Sequence, residues 1–344
     1  MVDIFSPAVL NRVVQDLKTE ARTPFLLDRY FRETSVSKSE EIFFDVLTGK
    51  PRLSPFVSPR SEGQIVEKVG YATNSFRPAY IKDKRVLEDN VAARRPAGAP
   101  IYAGPVDAMA ARQRQLAVES LDQIAMLNRR MEWMAAEVLR TGSVTVTGEK
   151  YPTTTVDFGR NAGLTVTLTS TARWNDTSPT ILDNLESWAG LVRDQSGVSP
   201  VDIIMPQNVW ASFRKNTEVK ELMGFNRYSR ETDLELGPAA TDFGVTDKGM
   251  IGSFHVFIYN DFYVDEAGAT QKFLPDSYVL MLSPQLEGVR HFGMIKDEDN
   301  QFGAVDYFQK SWREPDPGQR YLMLQSAPLV VPYRINATLA AKVM

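Results

Sequence analysis

The chain has 344 residues, enough for roughly two domains, and its 43% apolar and 24% charged content is that of a folded globular protein, which excludes disorder and collagen-like repeats. Thirty-nine Lys and Arg against 43 Asp and Glu leave a formal charge of −4, without the basic excess of a protein built to grip phosphate backbones. Cysteine is absent and only His255 and His291 are present, which excludes disulfide frameworks, thiolate metal sites and Cys/His nucleophile pairs.

The N-terminus carries Asp3 and lacks the basic-then-apolar order of a secretory signal. No stretch approaches ~18 consecutive apolar residues, so the expectation is an intracellular chain with no membrane partner.

In chain order, Val9, Leu10, Val13, Val14 and Leu17 recur at helical spacing and predict a short amphipathic helix over about 7–21. Residues 25–44 mix apolar and charged side chains behind Pro24 and run into the strand-like segment 41–47, an arm with little core of its own. From Thr48 to Pro105 the chain is punctuated by Pro and Gly around short β-like runs at 64–71 and 79–86. A segment this long, without helical pattern but rich in Val, Ile, Tyr and Phe, predicts an extended hairpin rather than a linker. Two strands alone are marginal in water, so the hairpin must rest on something else, and another copy of the chain is the candidate. Ile65, Val69, Phe76 and Tyr80, with the basic pair Arg94 and Arg95, are therefore the candidate inter-subunit contacts.

Residues 107–140 contain no Gly or Pro, and Met109, Leu116, Leu121, Ile124, Leu127, Met131, Met134, Val138 and Leu139 trace an apolar stripe. They predict a helix of ~50 Å, stopped at Gly142 and buried along one side by a sheet. Met109, Met126, Met131 and Met134 are expected to fill core. Alternating Thr and Val over 143–160 and 164–174 predict antiparallel strands, with a turn at Gly148. Gly148-Glu-Lys150 lacks the spaced glycine and the Lys-Ser/Thr pair of a phosphate loop.

A mixed α/β region follows. Ser178-Pro179 should cap a helix to about Gln195, ended by Ser196-Gly197. Residues 201–206 read as a buried strand, and 206–223 as short helices with Trp210 and Phe213 inward. A polar surface loop is expected over 227–247, then strands at 253–264 and 277–282 around a turn at 265–268. The closing stretch reads as two β segments broken by Pro328 and Pro332 that return to an earlier sheet.

No catalytic constellation emerges, and no cofactor, metal or catalytic residue is predicted. His291 stands near Asp297, Glu298 and Asp299, but a surface loop of solvated charges is the expected setting. The run 296–300 lacks the spacing of a calcium loop, and His255 reads as a structural histidine in a strand. A terminal arm, a projecting hairpin and a long helix beside an α/β domain suit an assembling subunit, whose projecting parts complete their cores on neighbours.

Six motifs in order carry a resemblance nearly end to end: Phe56-Val-Ser-Pro59 with Gly63; Phe76-Arg-Pro-Ala-Tyr-Ile-Lys82 with Lys84; Thr147-Gly-Glu149 leading to Val156-Asp-Phe-Gly-Arg160; Lys272-Phe-Leu-Pro-Asp276; Gly288-Val-Arg290 with Phe292-Gly293 and Asp297; and Trp312 with Asp316-Pro317 and Gln325-Ser-Ala-Pro-Leu329. They resemble the lambda-type major capsid protein (head protein E) family of tailed bacteriophages. The resemblance implies an α+β chain with the tailed-phage and herpesvirus capsid shell fold. Its parts would be an N-terminal arm at 1–47, an extended loop at 48–104, a peripheral domain at 105–177 plus 311–344, and an axial domain at 178–310. It implies a non-enzymatic head protein that forms pentamers and hexamers enclosing double-stranded DNA, made in the host cytoplasm and found in the virion. Its partners would be copies of itself, a portal, a scaffold and, as in some members, a decoration protein. The competing readings are an encapsulating nanocompartment or other phage structural protein of the same fold, and a carboxylate-based hydrolase.

Overall fold

The computed structural model describes residues 23–47, 71–87, 108–148, 150–176, 179–221, 240–241, 244–300, 303–316 and 318–344, together with residues 5, 7, 9–13, 54, 56 and 62. Helix α1 (Phe25–Tyr30) and strands β1 (Glu33–Val36), β2 (Ile42–Leu47), β3 (Tyr71–Phe76) and β4 (Ile81–Leu87) precede the long helix α2 (Ala108–Thr141). Then come β5 (Ser143–Gly148), β6 (Tyr151–Asp157), β7 (Thr165–Thr167), α3 (Ile181–Ser196), β8 (Asp202–Met205) and α4 (Gln207–Phe213). Six strands follow: β9 (Ala240–Thr241), β10 (Val245–Ile251), β11 (Phe254–Tyr259), β12 (Phe262–Val264), β13 (Thr270–Lys272) and β14 (Tyr278–Leu282). The chain closes with β15 (Gly288–Phe292), β16 (Phe308–Arg313), β17 (Arg320–Ser326), β18 (Pro328–Pro332) and β19 (Thr338–Lys342).

Period-2 patterning explains the centre of the molecule. A seven-stranded mixed sheet has the order β7-β19-β14-β8-β11-β10-β9. Along β8, Ile203 and Met205 face one side and Ile204 the other, and β11, β14 and β19 alternate in the same way. One face packs under α3 and α4 through Leu185, Trp188, Val192, Trp210 and Phe213. The other packs against α1 and α2 through Leu26, Met131, Ala135 and Leu139. The result is a helix–sheet–helix sandwich with both faces of β8 buried, as its unbroken apolar run requires.

The long helix matches its predicted span to within a residue. It stops where Gly142 takes φ +80°, its N–H bonded to the Val138 carbonyl at 2.8 Å. The Arg160 guanidinium donates to the carbonyls of Leu139 and Arg140, both at 2.7 Å, satisfying acceptors that a helix end leaves orphaned. Met126, expected to fill core, is 47% exposed, whereas Glu132 is wholly buried.

Several expected pairings are corrected, each by a long-range partner that periodicity does not encode. The expected hairpin run at 64–70 lies outside the described residues, and of the strands beside it β3 pairs antiparallel with β2, and β4 with β17. Strand β7 runs parallel to β19 instead of forming an antiparallel ribbon with β5 and β6. The closing stretch holds three strands, not two, each in a different sheet. Strand β19 lies between β7 and β14, so residues 338–342 share one sheet with residues 165–167 and 278–282. Strand β10 begins at Val245, inside the predicted surface loop. The α3 N-cap is Thr180, without a side-chain cap bond, and Ser178 lies outside the described residues. Residues 7 and 9–13 are helical as expected, with Leu10 buried, and the rest of that predicted helix lies outside the described residues.

The arm is seated rather than free. Strand β1 pairs in parallel with β15, and the chain crosses Gly288 so closely that a Cβ there would strike the Tyr30 carbonyl and the Phe31 ring.

Candidate assembly surfaces

Of the six predicted contact residues, Ile65, Val69, Arg94 and Arg95 lie outside the described residues. Phe76 does not offer a surface to a neighbour: it is buried in the chain's own main cluster, because β3 lies on β2 and the inward residues Ile42, Phe44 and Val46 share that core. Tyr80 is 38% exposed. Its hydroxyl donates to the Met294 carbonyl at 2.8 Å and accepts the Lys296 N–H at 3.2 Å, which fixes the ring at the surface. Phe43, the outward residue of β2, is 60% exposed, and Phe56 is fully exposed.

A second surface was not read from sequence. Strands β16, β17 and β4 form a three-stranded sheet whose inner face meets the first half of α2. There Gln309 exchanges hydrogen bonds with Ser120 and donates to the Gln123 side-chain carbonyl, the Gln123 amide donates to the Asp83 carbonyl, and Leu322 meets Leu116, Leu87 and Leu10. Arg85 sits among Asp83, Glu119 and Asp122 at 3.1, 2.8 and 2.7 Å. Partial burial works against its charge, but these carboxylates more than compensate and raise its pKa. On the outer face Trp312, Tyr321 and Val86 stand in one cross-strand row, with Lys84 over both rings at 5.3 and 3.8 Å. This half-exposed apolar and cationic row is what a partner segment could cover. The signal was present, since Lys84 and Trp312 stand in the quoted motifs, but their meeting depends on the β4–β17 pairing.

Groups capable of chemistry are dispersed and individually satisfied. His291 lies in β15, not in a surface loop: its side chain is buried, its Nε2 is 2.9 Å from the Tyr333 hydroxyl, and burial lowers its pKa. Among the described residues the histidine–carboxylate pair is His255 with Asp247, 2.7 Å apart across β11 and β10. Asp297 serves structure: burial opposes its charge, but Lys310 at 2.5 Å and Gln325 at 3.0 Å hold its carboxyl below the usual range. Among the described residues no three His, Asp or Glu side chains are grouped to hold a metal. A cavity of about 320 Å³ beside α3, lined by Leu185, Ile203, Phe213 and Phe254 with Glu186 and Arg193, contains no histidine.

Two buried carboxylates that sequence reading missed seat the root of the arm. Glu132 on α2 accepts the N–H groups of Leu26 and Leu27 at 2.9 and 3.1 Å and the Tyr259 hydroxyl at 2.8 Å. Asp202, at the start of β8, takes a bidentate bond from Arg29, both contacts 2.8 Å, and the Tyr30 hydroxyl at 2.7 Å. Neither is signalled locally, since their partners lie more than 100 residues away. The only hint was a Glu flanked by stripe residues.

The quoted motifs occupy the joints of this arrangement: Phe158 packs on Phe44, Arg160 closes the long helix, and Pro78 packs against Gly293. Residues 6–343 match the model of the family described as phage major capsid protein E. The chain is 29% identical over 317 residues to the major capsid protein of Escherichia phage lambda, covering 90% of each. It is 26% identical over 326 residues to that of Enterobacteria phage P21, covering 91% of this chain and 93% of the relative. A prophage protein of E. coli CFT073, crystallised as a capsid protein, superposes with a TM-score of 0.75 at 20% identity over 98% of this chain and 99% of its own. A phage-related protein of Bordetella bronchiseptica RB50 superposes with a TM-score of 0.58 at 11% identity over 96% of each. At such identities the structures speak for the fold alone, and that fold is the α+β capsid shell fold. With its motifs at the joints of that fold and a family match running from residue 6 to residue 343, the chain belongs to the phage major capsid protein E family.

Proposed function

We propose that this chain is the major capsid protein of a tailed bacteriophage, assembling with copies of itself into hexamers and pentamers of an icosahedral shell around packaged double-stranded DNA. The observation that carries the reading is the family match over residues 6–343. It is supported by apolar side chains exposed at the surface, Phe43, Phe56 and Val86, the last in a row with the partly exposed Tyr321 and Trp312. The role is structural and requires no catalytic group. The seven-stranded sheet with α3 and α4 is the axial part, and the first half of α2 with its three-stranded sheet is the peripheral part. Ile65, Val69 and Tyr80, with Arg94 and Arg95, remain the proposed contacts of the extended loop, and the outer face of β16, β17 and β4 is a surface they could meet.

A portal and a scaffold are the expected partners, with a decoration protein as a further one. Assembly takes place in the host cytoplasm and the product is the virion shell. A net charge of −4 suits a container that must later release its DNA. Light scattering and negative-stain imaging of the expressed chain test the proposal: rings or closed shells are expected, and a stable monomer at every concentration and salt overturns it. Double-stranded DNA inside particles purified from infected or induced cells separates a phage head from a nanocompartment of the same fold.

A further inference from the structure

Asp202 and Glu132 both hold α1, but with opposite electrostatics. Asp202 faces a guanidinium, and the pair keeps Arg29 charged. Glu132 is equally removed from water and receives only neutral donors, two backbone N–H groups and a phenol. A carboxylate in that position binds its proton more tightly than one in water, because burial penalises the charged form and no cation repays it. Burial, partly opposed by the three donors and helped by the negative Asp261, brings Glu132 up to about 7.

The surrounding groups do not reverse this. On β11, Tyr259 is itself buried and stays neutral. Just beyond that strand, Asp261 is half-buried and faces Arg129 on the next turn of α2. Arg130 pairs with Glu266, away from the site. On α1, Asp28 is exposed, Arg29 is engaged by Asp202, and the Tyr30 phenol is buried on the same carboxylate. His255 is paired with Asp247, beyond Phe257.

We propose that Glu132 is a positioning residue that couples seating of the arm's root helix on the long helix to uptake of one proton, so that the root is held most firmly in mildly acidic solution and loosens as the pH rises to neutral. The inference concerns the folded chain itself and does not rest on the shell-building reading. Its sign follows from what α1 covers. With α1 seated, Leu26 and Leu27 close the site and the carboxyl keeps its proton. With α1 lifted, the carboxyl meets water and returns toward its ordinary value of 4.5. Seating is therefore favoured below that value and weakens by up to about tenfold per pH unit until Glu132 ionises in place near neutrality, after which it changes no further.

Hydrogen exchange on the full-length chain, corrected for the intrinsic pH dependence of exchange, tests this in a peptide spanning residues 24–31. Its protection is expected to fall by up to about tenfold per unit between pH 5 and 7 and then level off. A peptide from α3 should stay flat. Leu26 and Leu27 donate to different oxygens of Glu132, so Glu132→Gln keeps an acceptor for only one of the two N–H groups but removes the titrating group, and its root protection, at whatever level it stands, should no longer change with pH. Asp261→Asn removes a like charge, so its levelling point should move to lower pH. A flat wild-type profile overturns the proposal, as does a slope shared equally by α3, a slope that survives in Glu132→Gln, or a levelling point indifferent to Asp261→Asn.

Discussion

The two halves of the long helix are built on different principles. From Ile124 onward, Leu127, Met131, Met134, Ala135, Val138 and Leu139 are buried in the main cluster, packed against both the sheet and α1. Before it, the apolar contact shrinks to Leu116 with Leu10, Leu87 and Leu322, and much of the interface is polar: Ser120, Gln123 and Gln309, with Arg85 among its carboxylates. Close-packed apolar surface resists displacement because each misplaced methylene leaves a void or a clash. Hydrogen bonds between long polar side chains can be exchanged for others. The difference teaches that this helix is anchored at its C-terminal half and adjustable at its N-terminal half.

The largest effect expected is at the anchored end. Met131→Asp places an unpaired carboxylate in the main cluster and should cost several kcal/mol, leaving little soluble chain by expression and sedimentation. If it expresses and melts normally, the comparison is wrong. Leu127→Ala should cost ~2–5 kcal/mol by denaturant unfolding, against less for Leu116→Ala in its smaller cluster. In the polar half, Gln309→Ala strands Ser120 and Gln123 and should cost ~1–3 kcal/mol. Arg85→Ala should be the mildest, roughly 1 kcal/mol and shrinking in high salt, because the side chain is a fifth exposed. An Arg85→Ala loss that is large and indifferent to salt would mean that the charged cluster is an anchor too.

A final variant tests assembly apart from folding. Replacing residues 60–95 would remove β3 and β4, and with them Phe76 and Leu87 from the subunit's own core, so that cut should unfold the chain. Replacing 50–69 with a short Gly/Ser linker spares every described strand, and loop-closure cost depends weakly on length. Its melting temperature should stay within a few degrees of the parent while closed shells are lost from sedimentation profiles.

What could be read from sequence follows from how far each interaction reaches. The long helix, the β5–β6 hairpin and the inward faces of Trp210 and Phe213 are local patterns of period 3.6 or 2, and they fall where predicted. The partner of β4 lies more than 200 residues away, and nothing in Ile81–Leu87 distinguishes β17 from β3. Glu132 reads as a solvent-facing residue beside Met131 until α1 is laid across it, so the carboxylates that seat the arm appear only with the tertiary structure. The surface row Val86, Tyr321 and Trp312 was hidden for the same reason.

The position of β19 has a consequence for synthesis. In chain order it follows every other strand of the seven-stranded sheet, yet it lies inside that sheet, joining β7 to β14. Until residues 338–342 emerge, β14 presents a bare edge, and Leu339 and Ala341 are missing from the layer beneath α3. A nascent chain therefore cannot complete its central sheet, and polypeptides cut short by a stalled ribosome carry a gap there. Tying the sheet to its latest strand makes synthesis through residue 342 a condition for closing both layers of the core, because Ala340 faces one and Leu339 and Ala341 the other.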